Sequence, residues 1–247
     1  NYTGCWLNII LPFSVAIFYQ KTKNFYSKGT SLIFLLSIII SSFLTFSRNA
    51  WGGLLICIPL VLGPITLNWF LPIIILLITT IILKLLNYIP EIISLFFESI
   101  LPDNFDILNQ FSSESYTNEN DKRYLIFIYA LKMIFKNPIL GLGAASFPFY
   151  YFTNSNIYKG HPHNLIIDLA FSYGLIVTFL VFGFVFLILI YSFKKIYFSH
   201  KRSDRINYFE RAWISSFLIL LISQMFDVQY YDGRISMSFW ILLTGLF

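Results

Sequence analysis

Apolar residues come in blocks along this chain. Seven runs, near 4–19, 29–46, 50–68, 69–86, 164–193, 211–227 and 235–247, carry almost no charge. Runs of about 20 apolar residues are long enough to cross the hydrocarbon core of a bilayer as helices. The pair 50–68 and 69–86 is divided only by "GPITLNW", and the run at 164–193 has length to spare for a helical extension beyond the bilayer. The pattern predicts an all-α, polytopic membrane helical bundle. Four transmembrane helices fall in 1–86, a loop in 87–163, and three more in 164–247 with a basic linker among them.

Charge orients these spans. The linker "YQKTKNFYSKG" holds Lys21, Lys23 and Lys28 with no acid, and the second linker holds Lys194, Lys195, Lys201, Arg202, Arg205 and Arg211. Lys and Arg in short loops favour the cytoplasm. With both linkers there, the spans alternate without conflict, and 87–163, Arg48 and Arg234 lie on the outer side. Inside the outer segment, "NYIPEIISLFFESILPDNFDILNQF" reads as an amphipathic stretch along the interface. "SSESYTNENDK" reads as an exposed loop. "RYLIFIYALKMIF" reads as a short helix with Asp121 or Asn120 as its cap, ended by Pro138 with turns at Gly141 and Gly143.

Composition agrees: 57% of residues are hydrophobic and 12% charged, against about 45–50% and about 25% in soluble domains. Cys5 and Cys57 lie in apolar runs and read as small core side chains, not as a disulfide or metal pair. There is no phosphate loop, dinucleotide fingerprint, zinc-protease helix or nucleophile elbow. The basic linker is short and beside a membrane, which argues against nucleic acid. The chain starts at Asn1 in an apolar run and stops inside another, so it reads as an internal piece of a longer protein.

Chemistry-bearing residues are few. Arg48, in "LTFSRNAWGG", stands at a junction of two apolar spans. Its plain reading is a cation snorkelling to lipid phosphate. Its functional reading is an anion site, because a guanidinium suits phosphate bidentately. Arg123 opens the short helix on the same side, where a solvated charge beside Lys122 is the plain alternative. Arg234, in "FDVQYYDGRISMSFW", has an interface anchor as its plain reading. In "YKGHPHNLIIDLAFSYGL", His161 and His163 stand one residue apart before an apolar run. A metal site would need a third ligand. His200 lies in the opposite linker, and although a carboxylate such as Asp168 would complete a set, nothing demands it, so no metal is assigned. A polar helix flank capped by Asn164 or His163 is the plain reading. Acid–base chemistry is the sharper one, because histidine titrates near neutrality. Asp168, about one helical turn deeper, is placed to orient a histidine or receive an acceptor hydroxyl.

Taken in order, "NYTGCWLNIILPF", "SRNAWGG", "KRYLIFIYALKMIFKNPILGLGAASF" and "GHPHNLIIDLAFSYGLI" resemble the O-antigen ligase and polymerase superfamily of bacterial envelope glycosyltransferases. The resemblance runs from Asn1 through Tyr173, with a looser fit at "DVQYYDGRISMSFWILL". The family often has Trp where Tyr124 stands and Gly where Asn49 stands. The resemblance implies a multi-pass enzyme of the bacterial inner membrane with a large, partly helical periplasmic loop and its active site facing the periplasm. It implies glycan transfer from an undecaprenyl-diphosphate-linked donor to an acceptor hydroxyl, without cofactor or metal. Ligation onto lipid A core leads, with an acceptor glycolipid or growing glycan as the partner; polymerisation and protein O-glycosylation are the near alternatives. It also implies that Arg48 and Arg123 hold the donor diphosphate, with Arg234 as a third candidate. His163 is then the base, with His161 second, and Asn164 and Asp168 support it. A transporter or lipid flippase is the rival from another class. Such proteins bind near the bilayer midplane, often on broken helices, whereas the cations here gather at one face.

Overall fold

The computed structural model describes residues 2–20, 25–63, 123–198 and 207–246, with isolated positions between 66 and 79. Most of the expected span 69–86 lies outside the described residues, as do the interfacial stretch from 87, the polar loop, Lys21, Lys23, and the linker residues His200, Lys201, Arg202 and Arg205. Every described element is helical: α1 (Tyr2–Tyr19), α2 (Phe25–Leu44), α3 (Arg48–Leu62), α4 (Arg123–Lys136), α5 (Phe147–Ser155), α6 (Leu165–Tyr197), α7 (Tyr208–Ser223) and α8 (Gly233–Thr244). Three of them, α1, α2 and α6, are long and apolar enough to cross a membrane.

Helix α7 is the centre of the bundle. Its Ile214, Phe217 and Leu220 are fully buried and pack with α1, the far half of α6, and α8. Its Ala212 and Ile219 join a second cluster with α1, α2 and α3. Lipid is as apolar as leucine, so close packing and interhelical hydrogen bonds carry the association inside a bilayer. The chain supplies such bonds. Ser216 donates to the Ile9 carbonyl (2.8 Å), Ser192 to that of Leu246 (2.8 Å), and Trp213 to that of Leu242 (2.8 Å).

The bundle has two chemically distinct ends. At one, Tyr19 meets Tyr208 and the last carbonyls of α3 are taken up by cationic and phenolic donors. Arg211 donates to the Leu62 carbonyl (3.0 Å) and lies 5.1 Å from the centre of the Tyr197 ring, while the Tyr197 hydroxyl donates to Leu60. Cations at a helix C-terminus satisfy orphan carbonyls and the helix dipole together. At the other end, Asn8 donates to the Asn49 carbonyl (3.0 Å) and Asn49 to the Ser223 hydroxyl (2.5 Å). The Leu165 amide then donates to the Gln224 carbonyl (3.0 Å). That relay places the starts of α1, α3 and α6 and the end of α7 together, at the histidine end.

Helix α6 is two helices joined at Gly174, whose φ of 83° and ψ of 169° are not helical. A break strands carbonyls, and the segment after α4 takes them up. Leu142 and Gly143 donate to the Phe171 and Ser172 carbonyls (2.8 and 3.0 Å), and Leu175 donates to that of Pro138 (2.7 Å). The approach is close: a Cβ on Gly174 would sit 2.1 Å from the Ile139 carbonyl oxygen, and one on Gly141 2.6 Å from the Gly174 amide nitrogen. Below the break, Leu175 to Val177 and Phe179 to Val181 expose apolar surface. Above it, Ile167, Ala170 and Phe171 pack against Ile126, Ala130 and Ile134 of α4 and Phe147 and Tyr151 of α5 in a separate core.

Candidate functional site

The site is built where the loop before α6 meets the loop after α7. Asn164 is the N-cap of α6: its side-chain oxygen accepts from the Ile167 amide (3.1 Å), which leaves its NH₂ to donate to the Met225 carbonyl (3.0 Å). One residue type thus does two jobs, starting a helix and tying down the neighbouring loop. The same loop is held by the Leu165–Gln224 bond, and by the Tyr231 hydroxyl, which donates to the Asp168 carboxylate. Asp168 is 2% exposed, so the phenol covers a carboxylate that burial would otherwise penalise.

Between those ties stands Asp227. Its Oδ1 lies 3.3 Å from His163 Nδ1 and 3.9 Å from His161 Nε2, with side chains 20%, 28% and 25% exposed respectively. The backbone amide of His163 donates to His161 Nδ1 (3.2 Å), and the two rings stand edge to face, 4.7 Å apart. An amide can only donate, so the neutral His161 ring carries its proton on Nε2, toward Asp227. Asp227 likewise favours the proton of His163 on Nδ1, where it completes the 3.3 Å hydrogen bond. His163 Nε2 is then left with a free lone pair. Burial pushes the His161 ring below the usual imidazole range; His163 and Arg123 add to this, and Asp227 opposes it. His163 has a left-handed φ of 58°, which costs a residue with a Cβ about 1–3 kcal/mol.

Of the residues singled out in the sequence, His161, His163 and Asn164 come together here. Arg123 opens α4, is exposed, and stands near enough to act electrostatically on His161. Arg48 starts α3 at the same end through the Asn49–Ser223 contact; its side chain lies outside the described residues. Arg234 is 79% exposed and already holds an anion, donating to both Asp232 oxygens (3.3 and 3.1 Å). Asp168 meets Tyr231 and not a histidine. Asp227 and Tyr231 carry no signature of their own in the sequence. Both lie in "FDVQYYDGR", and the available signal is an acid, Asp227, just past an apolar run at the histidine end.

The break in α6 bears on the transporter alternative. Broken helices bind ligands when their freed backbone groups face a cavity. Here the Phe171 and Ser172 carbonyls and the Leu175 amide are taken by the 138–143 segment. The histidines and Asp227 gather above the break, not at it.

Residues 31–182 match the family described as O-antigen ligase, a span of more than half of the 247 residues. No curated protein and no solved structure matches the chain.

Proposed function

We propose, from the premise that this chain belongs to the O-antigen ligase family, that it moves a glycan from an undecaprenyl-diphosphate-linked donor to an acceptor hydroxyl at the periplasmic face of the inner membrane. Membership carries the general activity, glycosyl transfer in polysaccharide assembly by a membrane protein. The donor, the acceptor and the side of the membrane are the finer reading. Ligation onto lipid A core is its leading form, with polymerisation and protein O-glycosylation as the alternatives.

The observation that supports the mechanism is the pairing of His163 Nδ1 with Asp227 at 3.3 Å. His163 Nε2 takes the proton of the acceptor hydroxyl as its oxygen attacks the anomeric carbon. The bond from that carbon to the phosphate oxygen breaks, and undecaprenyl diphosphate leaves with the electron pair. Asp227 holds the ring in the tautomer that can accept and stabilises the imidazolium that forms. Arg48 and Arg123 meet the negative charge that develops on the leaving diphosphate, a task fixed guanidiniums perform without a metal. Arg234 joins them only by releasing Asp232. Asn164 and Asp168 support the base by fixing the two loops against each other.

The test is single replacement of Arg48, Arg123, His163 and Asp227 in the intact protein, expressed in cells that lack it. Loss of a general base removes roughly 10²–10⁴-fold of rate. His163→Ala therefore abolishes glycan on the acceptor and lets lipid-linked chains accumulate. Transfer at parental level in all four variants, with equal protein abundance, sinks the assignment. A single repeat left on the acceptor of the deletion strain marks a polymerase and not a ligase.

A further inference from the structure

A catalytic zinc site needs three protein ligands, and Asp168, the carboxylate the sequence offered beside the two histidines, is taken by Tyr231. The fold supplies one from 64 residues away. His161, His163 and Asp227 each present a ligand atom, and all of these atoms lie within 4.8 Å of one another. With zinc–nitrogen bonds of about 2.0–2.1 Å, neighbouring ligand atoms of a tetrahedral site stand about 3.3 Å apart. The contacts to Asp227 are 3.3 and 3.9 Å. Two imidazoles and a carboxylate suit zinc or copper and leave hard cations such as magnesium poorly served. The three side chains are partly exposed, so an ion has a way in. We propose that His161 Nε2, His163 Nδ1 and Asp227 form a reversible binding site for a divalent transition metal, zinc above all, and that its occupancy shuts off the transferase.

The inhibition follows from proton placement. A neutral imidazole has one N–H and one lone pair. Metal on His163 Nδ1 moves the ring proton to Nε2, so the atom that would accept the hydroxyl proton no longer can. Metal on His161 Nε2 similarly moves that proton to Nδ1, where it faces the His163 amide. The 3.2 Å bond between them must then open. That opening weakens the site, which makes it one that fills and empties, not one with a resident ion. Closing the base rests on His163 acting as proposed above; the binding does not.

The decisive measurement titrates purified intact protein with zinc chloride, and separately with magnesium chloride, by calorimetry in the absence of donor. One zinc per chain binds at the site and magnesium does not. His161→Gln and Asp227→Asn each weaken zinc by more than the roughly 10–100-fold that loss of an outer-shell partner costs. Using two variants guards against one that folds poorly, and monodisperse elution checks both. Zinc affinity unchanged in the two variants, or no zinc binding at all, overturns the proposal. Transfer by the parent protein stops when the site fills and returns with a chelator. If zinc binds as expected but transfer continues, the inhibitory half is wrong and the reading of His163 as base falls with it. If zinc fails to bind while His163→Ala abolishes transfer, the metal site alone is wrong.

Discussion

Replacing Gly174 by alanine puts one methyl group where the fold has no room. The new Cβ would lie 2.1 Å from the Ile139 carbonyl oxygen and 2.5 Å from its carbon, both backbone atoms that no side-chain rotation can clear. The backbone at φ 83° and ψ 169° is also a region used essentially by glycine alone, at about 1–3 kcal/mol for other residues. To relieve the clash the 138–143 segment must lift away, and three hydrogen bonds go with it: Leu142 to Phe171, Gly143 to Ser172 and Leu175 to Pro138. At roughly 0.5–1.5 kcal/mol each, these add about 1.5–4.5 kcal/mol. The sum is about 2.5–7.5 kcal/mol, a large share of the roughly 5–15 kcal/mol that holds a typical domain. At about 2–4 °C per kcal/mol for a chain of this size, even the lower end lowers Tm by roughly 5–10 °C. Thermal scanning of detergent-solubilised protein by size-exclusion elution reads that shift. A Gly174→Ala protein that melts within a degree or two of the parent refutes the sealed-break geometry.

Three further outcomes are expected. Asp227→Asn keeps the volume of the side chain but not the negative charge; transfer falls while Tm stays within about 1 kcal/mol equivalent, since both partners are partly exposed. Unchanged transfer would remove Asp227 from the mechanism. Asn164→Ala loses the α6 cap and the tie to Met225; roughly 0.5–2 kcal/mol goes with the cap, and faster hydrogen exchange at Ile167 than in the parent is the local readout. Tyr231→Phe removes the hydroxyl that covers Asp168, at about 1–3 kcal/mol for a buried acceptor left without its partner. Adding Asp168→Asn recovers part of the lost Tm, whereas equal melting of parent and Tyr231→Phe would show that the contact stabilises nothing.

The sequence made some features legible and hid others for physical reasons. Apolar blocks announce helices because local composition decides bilayer insertion, and α1, α2 and α6 are plain in it. Pro138, Gly141 and Gly143 read as the end of a helix and a turn. Their use as a seal did not, because Gly174 stands inside the apolar run "FSYGLIVTF", where a lone glycine does not break a helix by itself. Asn164 read as a cap because capping is local. The pairing of His163 with Asp227, and of Asp168 with Tyr231, spans more than 60 residues, and no periodicity in one chain encodes such contacts. Asp168 stood at helical spacing from the histidines, so proximity in sequence pointed to the wrong carboxylate for the ring.

Three hydrogen bonds of the 224–231 loop end on residues 164–168. His163 precedes that half-helix directly, and Asp227 hangs from the loop bolted to it. Both members of the dyad are therefore tied to one half-helix, on the far side of the Gly174 break from the lipid-facing half of α6, with Asp227 also bonded to the end of α7. Bending at the break or tilting of the spanning half carries base and carboxylate along as a single body. The separation between them is thus insulated from changes in bilayer thickness and tension that the long apolar helices must absorb.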